Sequence, residues 1–403
     1  MNQKRKQYKA ESEQRRRKRI KDEQYQQQEL IKQQQDQIQQ LQSQTKKQQD
    51  QIQQLQSQIK QQQDELQQFQ SQQQSNQQST RGDQFMMNVL SSGKTCESVI
   101  GMSANEFDAL FQRALPQFES TTARGSPAKR VNSPTPSVSH RLQLFICLLW
   151  LRQYPLLSFL SVIFDLHCMT ITRILKRALI VLETSLDEEI KWPCDKEMVK
   201  YQRQFKHMQP RGFRAVTSAV DGSEFEVERP VDNKTQYELY SAKKKQHSLN
   251  VLFVCLLNGL IIYVSKSQKV SNDQSHWNAS NLRKRFEGKK FGLVGDGGFY
   301  FNRKVDKKKI HGFTPYKKPT NTQLTQEQKD YNKKLSKIRV VIENVIAQIK
   351  NWRIFKTVFR HYDSTESKKN QIPFDRVVRV VCCLTNMKIK QTPLRSKDWK
   401  PEL

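Results

Sequence analysis

Four acidic residues have the type and the sequence setting of ligands for a divalent metal ion. Asp221 and Asp296 each follow a short apolar run and precede a glycine, and Glu343 lies among valines and isoleucines. Asp273 lies in the polar stretch Ser271–Gln274. Burying a carboxylate is costly unless it is paired or bound to a metal, and Mg²⁺ or Mn²⁺ prefers oxygen ligands. Because two such ions promote hydrolysis of a phosphodiester, these acids indicate a metal-dependent nuclease.

Each acid also has an ordinary structural explanation. Asp221 and Asp296 are residues of a type that caps turns, and Glu343 is spaced to pair with Arg339 one helical turn earlier. For any one acid this explanation is sufficient. The metal site explains all of them together, but spacing along the chain does not show that they meet in space.

Apolar runs separated by turn signals predict the strands that would carry the acids. The predicted strands are Ala215–Val220, Leu249–Leu257, Leu260–Val264 and Phe291–Gly295. The second and third of them flank Asn258 and Gly259, which form a strong hairpin signal. Over Asn332–Trp352 the apolar residues return to helical spacing, which places Glu343 on a helix. Strands followed by late helices indicate an α/β domain.

The segment before these strands has the layout of a helix-turn-helix. Leu142–Leu151 is predicted as a buried helix, Leu156–Asp165 as a second helix and Ile171–Leu182 as a basic third helix. A recognition helix must offer polar and cationic groups to bases and phosphates. The predicted DNA contacts on the third helix are Thr172, Arg173, Lys176 and Arg177. From the local pattern alone, an ordinary three-helix bundle fits equally well.

A Gln-rich repeat fills most of the N-terminal region. The segment Asp36–Gln44 returns at Asp50–Gln58 and, less regularly, at Asp64–Gln72. Heptad positions a are Ile31, Ile38, Thr45, Ile52, Ile59 and Leu66, and the apolar d positions are Leu41, Leu55 and Phe69. The remaining d positions are Gln34, Gln48 and Gln62. This spacing predicts a self-associating coiled coil over residues 29–73; the alternative is a low-complexity tract without fixed structure.

The net charge of the chain indicates a polyanionic partner. The 403 residues include 69 Lys and Arg against 39 Asp and Glu, a formal net charge of +30. Nucleic acid is the usual partner of such a protein, although basic surfaces also bind acidic membranes or acidic proteins. The clusters Lys4–Lys6 and Arg15–Arg19 are typical of nuclear import or nucleic-acid contact. Arg303–Lys309 is predicted to contact phosphates, with a solvated loop as the equal alternative. The contacts predicted there are Lys304, Lys307, Lys308 and Lys309.

Other features argue against membrane and secreted proteins. No apolar run approaches the roughly 20 residues that span a bilayer, and the first residues are polar rather than an apolar signal sequence. The seven cysteines include no Cys-x-x-Cys pair, so neither a zinc module nor a disulfide framework is expected. We therefore expect an intracellular protein, located in the nucleus, with no membrane partner.

An ordered series of motifs resembles the nuclease domain of PIF/Harbinger-type transposases. The matching segments are Ala219–Phe225, Asn272–Asp273, Ser280–Leu282, Leu293–Phe299, Thr314–Lys317, Asn332, Leu335, Arg339–Glu343 and Ile349–Phe355. The series extends over Arg214–Phe355, and Leu142–Leu182 resembles the helix-turn-helix that precedes this domain in the family. In one departure, the family has a glycine shortly before the acid matched by Asp273, whereas this chain has Gln268–Asn272.

The resemblance implies an RNase H-like fold and a two-metal cleavage of DNA, followed by strand transfer. By position, Asp221, Asp296 and Glu343 would form the catalytic triad, and Asp273 would be an additional metal ligand. The implied cofactor is Mg²⁺ or Mn²⁺, and the implied partners are DNA and a second DNA-binding protein. The alternative function is a domesticated DNA-binding protein that does not cleave DNA and recruits partners through the coiled coil.

The predicted fold class is α/β, with an RNase H-like DDE nuclease domain as the last of five segments. The segments are a basic disordered arm (1–28), the coiled coil (29–73), a linker with a short amphipathic helix (74–139), the helix-turn-helix region (140–190) and the nuclease domain (205–390). The short helix is predicted to begin at Ser103, which forms a capping box with Glu106.

Overall fold

The computed structural model describes residues 2–77, 80–121, 138–269, 272–302, 308–320, 322–360 and 372–395. The chain divides into two compact units, Met1–Ser79 and Thr80–Leu403. Within the predicted basic segment, Lys308 and Lys309 are exposed. The predicted contacts Lys304 and Lys307 lie outside the described residues.

The first unit contains one long helix, α1 (Asn2–Gln77). Glutamine, lysine, arginine and glutamate are good helix formers, and the stretch contains neither glycine nor proline. The prediction of a disordered arm is therefore wrong for residues 2–28, which are helical. Along α1 the apolar heptad side chains of Ile38, Leu41, Ile52, Leu55 and Ile59 are exposed.

Helices form the N-terminal part of the second unit. They are α2 (Arg81–Ser91), α3 (Gly93–Ile100), α4 (Ala104–Ser120), α5 (His140–Gln153), α6 (Leu157–Phe164), α7 (Cys168–Ser185) and α8 (Asp195–Gln204). Reciprocal capping boxes begin α2, at Thr80 and Asp83, and α4, at Ser103 and Glu106. The second box confirms the predicted start of the short amphipathic helix.

The prediction of a linker before the helix-turn-helix is wrong for residues 80–121. Helices α2, α3 and α4 pack against α5 and α7, and they bury Phe107, Leu110 and Phe118 completely. A segment that contributes aromatic residues to the core is a structural part of the domain, since each buried ring contributes about 2–3 kcal/mol.

A mixed sheet forms the centre of the C-terminal part. Its strands are β1 (Val216–Glu226), β2 (Tyr240–Ser241), β3 (Gln246–Leu256), β4 (Ile261–Val264), β5 (Gln268–Lys269), β6 (Gly292–Val294) and β7 (His311–Phe313). Their order is β2-β3-β1-β6-β7, with β4 and β5 also paired to β3. Strand β1 is antiparallel to β3 and parallel to β6, which is parallel to β7. A mixed sheet preceded by helices is consistent with the expected RNase H-like fold.

Two strand predictions have different outcomes. The hairpin at Asn258 and Gly259 is confirmed, because β3 and β4 pair antiparallel around it and Gly259 has the left-handed φ of 99° that such a turn requires. The predicted end of the first strand at Val220 is wrong. Strand β1 continues to Glu226 because β3 pairs with it over that whole stretch.

The remaining helices surround the sheet. They are α9 (Asn233–Leu239), α10 (Asp273–Ala279), α11 (Leu282–Phe286), α12 (Gln326–Lys350) and α13 (Phe374–Gln391). Helix α12 packs on β1 and β3, and α13 packs on α7. The buried amide of Asn386 on α13 donates to the backbone oxygens of Glu189 and Ile261, at 2.8 Å each. The helical part and the sheet therefore share one core.

Helices α6 and α7 have the geometry of a helix-turn-helix. They are bent by 100° at the short turn between them, within the 90–120° that is usual for this motif. Asp165 ends α6 in the left-handed region, with a φ of 51°. In the described ranges no single helix is long and apolar enough to cross a membrane, although α6 and α7 meet that test as a bent pair.

Helix α7 presents only part of the predicted DNA-contact set to solvent. Arg173 is exposed, and Thr172 and Lys176 are half-buried. Arg177 is only 5% exposed, because it follows Ile174 by three positions and shares the buried face of the helix with it. The prediction that Arg177 contacts DNA is therefore wrong.

The guanidinium of Arg177 has a structural task instead. It donates to the backbone oxygens of Phe118 at 2.6 Å and Thr121 at 2.7 Å, and to Gln143 Oε1 at 3.1 Å. The first two oxygens are at the end of α4, where helical carbonyls have no partner within the helix. A cation there satisfies them and interacts favourably with the helix dipole.

Candidate metal centre

Asp221 lies within β1, beyond the part of the strand that pairs with β6. On one side its backbone pairs with Phe253 of β3. On the other side the parallel pairing ends at Ala219 and Val294. The backbone N–H of Gly222 donates to Asp221 Oδ1 at 2.9 Å and orients the carboxylate. This edge of β1 is therefore open to the residues that follow β6.

Asp296 follows β6 at the corresponding distance. It lies two residues after Val294, as Asp221 lies two residues after Ala219, the partner of Val294. The backbone N–H of Gly298 donates to Asp296 Oδ1 at 2.8 Å. Neighbouring parallel strands run in the same direction, so two acids that each lie two residues after the paired Ala219 and Val294 are placed side by side.

An irregularity in β1 sets this alignment. The register with β6 shifts between Val216 and Ser218, so Thr217 is an extra residue in β1, as in a β-bulge. The hydroxyl of Thr217 bonds to the backbone oxygen of Gly292 at 3.1 Å. Continued beyond the strand end, the shifted register places Asp221 level with Asp296.

Asp273 reaches the same place from a helix. It is the first residue of α10, whose N-cap Asn272 accepts a hydrogen bond from Ser275 N at 2.7 Å. Asn250 Nδ2, on β3, donates to Asp273 Oδ1 at 3.5 Å. A Cβ atom at Gly222 would lie 2.2 Å from that same oxygen. The carboxylate of Asp273 can enter the centre because residue 222 has no side chain.

The three aspartates form one cluster. One carboxylate oxygen from each of Asp221, Asp273 and Asp296 lies within 4.8 Å of the other two. Burial, followed by the charges of Asp296 and Asp273, raises the pKa of Asp221 to about 7. Burial also raises the pKa of Asp273; the hydrogen bond from Asn250 opposes this rise and the charge of Asp296 adds to it. Because a cation relieves such repulsion and hard divalent ions prefer carboxylates, these residues fit Mg²⁺ or Mn²⁺.

Glu343 lies outside the aspartate cluster. Its carboxylate forms an ion pair with Arg339 on the same face of α12, and 43% of its side chain is exposed. The charge of Arg339 also lowers the pKa of Asp221, so the guanidinium is within electrostatic reach of both acids. The helical pair that explained Glu343 without a metal is therefore present. The predicted convergence of Glu343 with the aspartates is not found in the part of the chain that the structure describes.

Lys350 lies within electrostatic reach of the aspartate cluster. The ammonium of Lys350 on α12 lies 5.3 Å from the centroid of the Phe225 ring. Burial and then the charge of Lys244 lower the pKa of Lys350, while Glu224 and Asp221 oppose this shift. Positive side chains beside a group of carboxylates allow a polyanion to approach them. The surroundings of the cluster therefore suit a phosphate backbone.

Two contributors to the site had no clear signal in the sequence. Asn250 lies in the apolar run Leu249–Leu257, and an amide at the centre of a buried strand is the one sign that it has a special partner. In the sequence, Gly222 is only the glycine that follows Asp221. Its actual role is to leave space for Asp273, which depends on where α10 begins.

Comparisons with known proteins concern this same part of the chain. Residues 220–386 match the family described as DDE superfamily endonuclease. A protein named "Probable transposase for insertion sequence element IS702", from Microchaete diplosiphon, is 29% identical over 147 residues, which is 35% of this chain and 49% of that protein. The chain thus spans about half the length of this curated relative. No solved structure matches the chain. The segment that carries the aspartate cluster is similar to a DDE superfamily endonuclease domain and, distantly, to an insertion-sequence transposase.

Proposed function

We propose that this protein is a divalent-metal-dependent DNA endonuclease of the transposase type. The observation that carries the proposal is the meeting of Asp221, Asp273 and Asp296 within 4.8 Å, in a segment similar to DDE superfamily endonucleases. These three side chains would hold the cation. When bound, Mg²⁺ or Mn²⁺ supplies activation of a water molecule and stabilisation of the negative charge that develops on the phosphodiester.

The residues of the chain itself hold the DNA against this centre. A net charge of +30 attracts the phosphate backbone, and Lys350 places a positive charge close to Asp221. Without such cations the aspartates would repel the DNA. The bonds from Gly222 N and Gly298 N fix the orientation of two of the carboxylates.

Glu343 is proposed as a fourth acidic residue of the centre. Support comes from its place in the motif series and from Arg339, whose charge acts on Asp221 while its guanidinium pairs with Glu343. Glu343 is therefore one ion pair away from the cluster. It has to give up Arg339 in order to join the aspartates.

The proposal is tested by nicking of supercoiled plasmid DNA. Full-length protein is incubated with plasmid in Mg²⁺, in Mn²⁺ and in EDTA, and the open-circular product is quantified on agarose gels. Nicking is expected with either cation and absent with EDTA. A protein that binds the plasmid and leaves it supercoiled in all three conditions would contradict the proposal and favour the non-cleaving alternative.

We also propose that α7 contacts DNA through Arg173. Arg173→Ala is expected to weaken binding to duplex DNA and to lower the slope of log K against log salt by about 0.9, since one phosphate contact is lost. Its thermal stability should be unchanged because the side chain is exposed. Fluorescence anisotropy over a salt series measures both quantities, and an unchanged slope would contradict the contact.

Arg177→Ala is the matched comparison on the same helix. It leaves the carbonyls of Phe118 and Thr121 without their donor, which is expected to cost about 3 kcal/mol of unfolding free energy. Denaturant unfolding measures this loss. Equal stability of the Arg173 and Arg177 variants would show that the buried network is not formed.

The self-association predicted for residues 29–73 is proposed as the role of α1. Its described apolar heptad residues are exposed, as coiled-coil seam positions are in a chain without its partner helix. Full-length protein is expected to sediment as a dimer or larger oligomer, and Leu55→Lys at a d position is expected to dissociate it. Gln54→Lys, one position before the seam, is the control. Sedimentation of the wild type as a monomer would contradict the proposal.

A further inference from the structure

Tyr300 is an exposed aromatic side chain on a rigid support next to the metal centre. It lies between Phe299 and Phe301, which are 2% and 3% exposed, whereas Tyr300 is 64% exposed. The two phenylalanine rings stack on each other with centroids 5.4 Å apart and pack edge-on against buried Trp277. The aromatic cluster below therefore fixes the backbone that presents the tyrosine ring to solvent.

A side chain beside the cluster also fixes Tyr300. Gln274 Oε1 accepts from Tyr300 N at 2.6 Å, and Gln274 Nε2 donates to Tyr300 O at 3.4 Å. Gln274 directly follows Asp273, and Tyr300 follows Asp296 by four residues. Four extended residues reach at most about 14 Å, which is about four steps along one strand of B-form DNA. The ring therefore lies within about four nucleotides of a phosphate held at the aspartates.

Lys317 completes a small surface with Tyr300. Its ammonium lies 5.6 Å from the centroid of the tyrosine ring, within the range of a cation–π contact. A Cβ atom at Gly297 would lie 3.3 Å from Lys317 Cε, so the lysine passes over the residue that follows Asp296. Tyr316, which precedes Lys317, is held in the same way as Tyr300. Asn332 Oδ1 accepts from Tyr316 N at 2.8 Å, and Asn332 Nδ2 donates to Tyr316 O at 3.0 Å.

Tyr300 and Lys317 do not belong to the hydrophobic core, since Tyr300 is 64% exposed. A ring that is mostly exposed contributes little to the stability of the fold. An aromatic ring next to an ammonium can bind a ligand in which a flat group is attached to an anion. A nucleotide has that chemistry: the base stacks on the aromatic ring and the phosphate meets the lysine. In duplex DNA the bases are already stacked on each other, so only an unpaired or extruded base offers a free face.

We propose that Tyr300 and Lys317 bind one unpaired nucleotide of DNA within about four nucleotides of the phosphate held at the aspartate cluster. The inference rests on the proposed function for its choice of DNA. It goes further by assigning a local opening of the duplex beside the cut and by naming the side chains that accept the released base. Tyr300 supplies the stacking face and Lys317 supplies charge on the adjoining phosphate.

The test compares two labelled DNA probes in EDTA, where no cleavage is expected. One is a fully paired 30-base-pair duplex; the other is the same duplex with five unpaired thymidines at its centre. Tyr300→Ala in the full-length protein is expected to lose roughly 5- to 150-fold in affinity for the bubble, the usual range for one base–aromatic stack, and little for the paired duplex. Tyr300→Phe should retain wild-type affinity for both probes.

Controls separate this inference from the proposed function. Tyr237→Ala removes a tyrosine that is 87% exposed on α9 and should change neither affinity. Equal losses on the two probes, or no loss, in Tyr300→Ala would overturn the inference, while wild-type plasmid nicking measured in the same preparation would leave the nuclease proposal standing. A wild-type protein that binds neither probe would overturn both.

Discussion

Replacing Asp221, Asp273 or Asp296 by asparagine is expected to reduce plasmid nicking in Mg²⁺ by on the order of 10³-fold. Each of these side chains contributes a carboxylate oxygen to the cluster, and the charge that a metal centre stabilises during phosphodiester cleavage is worth several kcal/mol. Asparagine keeps the shape of the side chain and removes its charge, so the fold is preserved. Initial rates of open-circle formation measure the loss.

Two further variants make this series specific. Asp330→Asn changes an exposed aspartate on α12 and should leave nicking unchanged. Glu343→Gln is expected to lose as much as the cluster variants, because Glu343 is proposed to leave Arg339 and join them. Full nicking by Glu343→Gln would restrict the centre to the three aspartates and make the Arg339 pair purely structural. Full nicking by Asp221→Asn would remove the nuclease proposal altogether.

In EDTA at pH 8, Asp221→Asn is expected to be more stable than the wild type by about 4 kcal/mol. The folded protein raises the pKa of Asp221 from 3.8 to about 7, so between these values the unfolded chain has released a proton that the folded protein still binds. The unfolding free energy of the wild type therefore falls as the pH rises from about 4 to about 7. Asparagine does not ionise, so the difference is small near pH 4 and reaches its full size above pH 7.

Urea unfolding of the two proteins at pH 4, 5, 6, 7 and 8 measures this divergence. Added Mg²⁺ should reverse it, because a ligand at 100 times its Kd stabilises the folded protein by about 2.7 kcal/mol and should act on the wild type much more than on Asp221→Asn. Asp330→Asn should match the wild type at every pH. A wild type whose stability is constant from pH 4 to pH 8 would show that Asp221 is not buried among like charges.

The features predicted correctly from the sequence are those with local causes. The β3–β4 hairpin depends on a turn at Gly259 that only a few residue types form, and α4 begins at a capping box contained within four residues. The apolar periods were sufficient to identify α12 and β6. The meeting of Asp221 with Asp296 was proposed from a resemblance, since nothing in the spacing of the two residues carries that information.

The errors have a common physical origin in tertiary contacts. Arg177 has the residue type of a DNA contact, but the end of α4 needs a donor and takes it. Residues 80–121 fall within the predicted linker, but α2, α3 and α4 pack against α5 and α7. A residue type states what a side chain can do, and the partner it finds depends on elements that lie far away in the chain.

The extra residue at Thr217 has a consequence for which length changes the protein can tolerate. Insertions in the loops between β1 and β6 leave the strand register untouched, so those loops are free to vary. Deleting Thr217 would give β1 and β6 regular pairing and would leave Asp221 level with Asp296, because Ser218 would still pair with Leu293 and Ala219 with Val294. Deleting Val220 instead would bring Asp221 level with Gly295 and turn its side chain to the opposite face of the sheet, so β1 can lose a residue before Ser218 but not after Ala219.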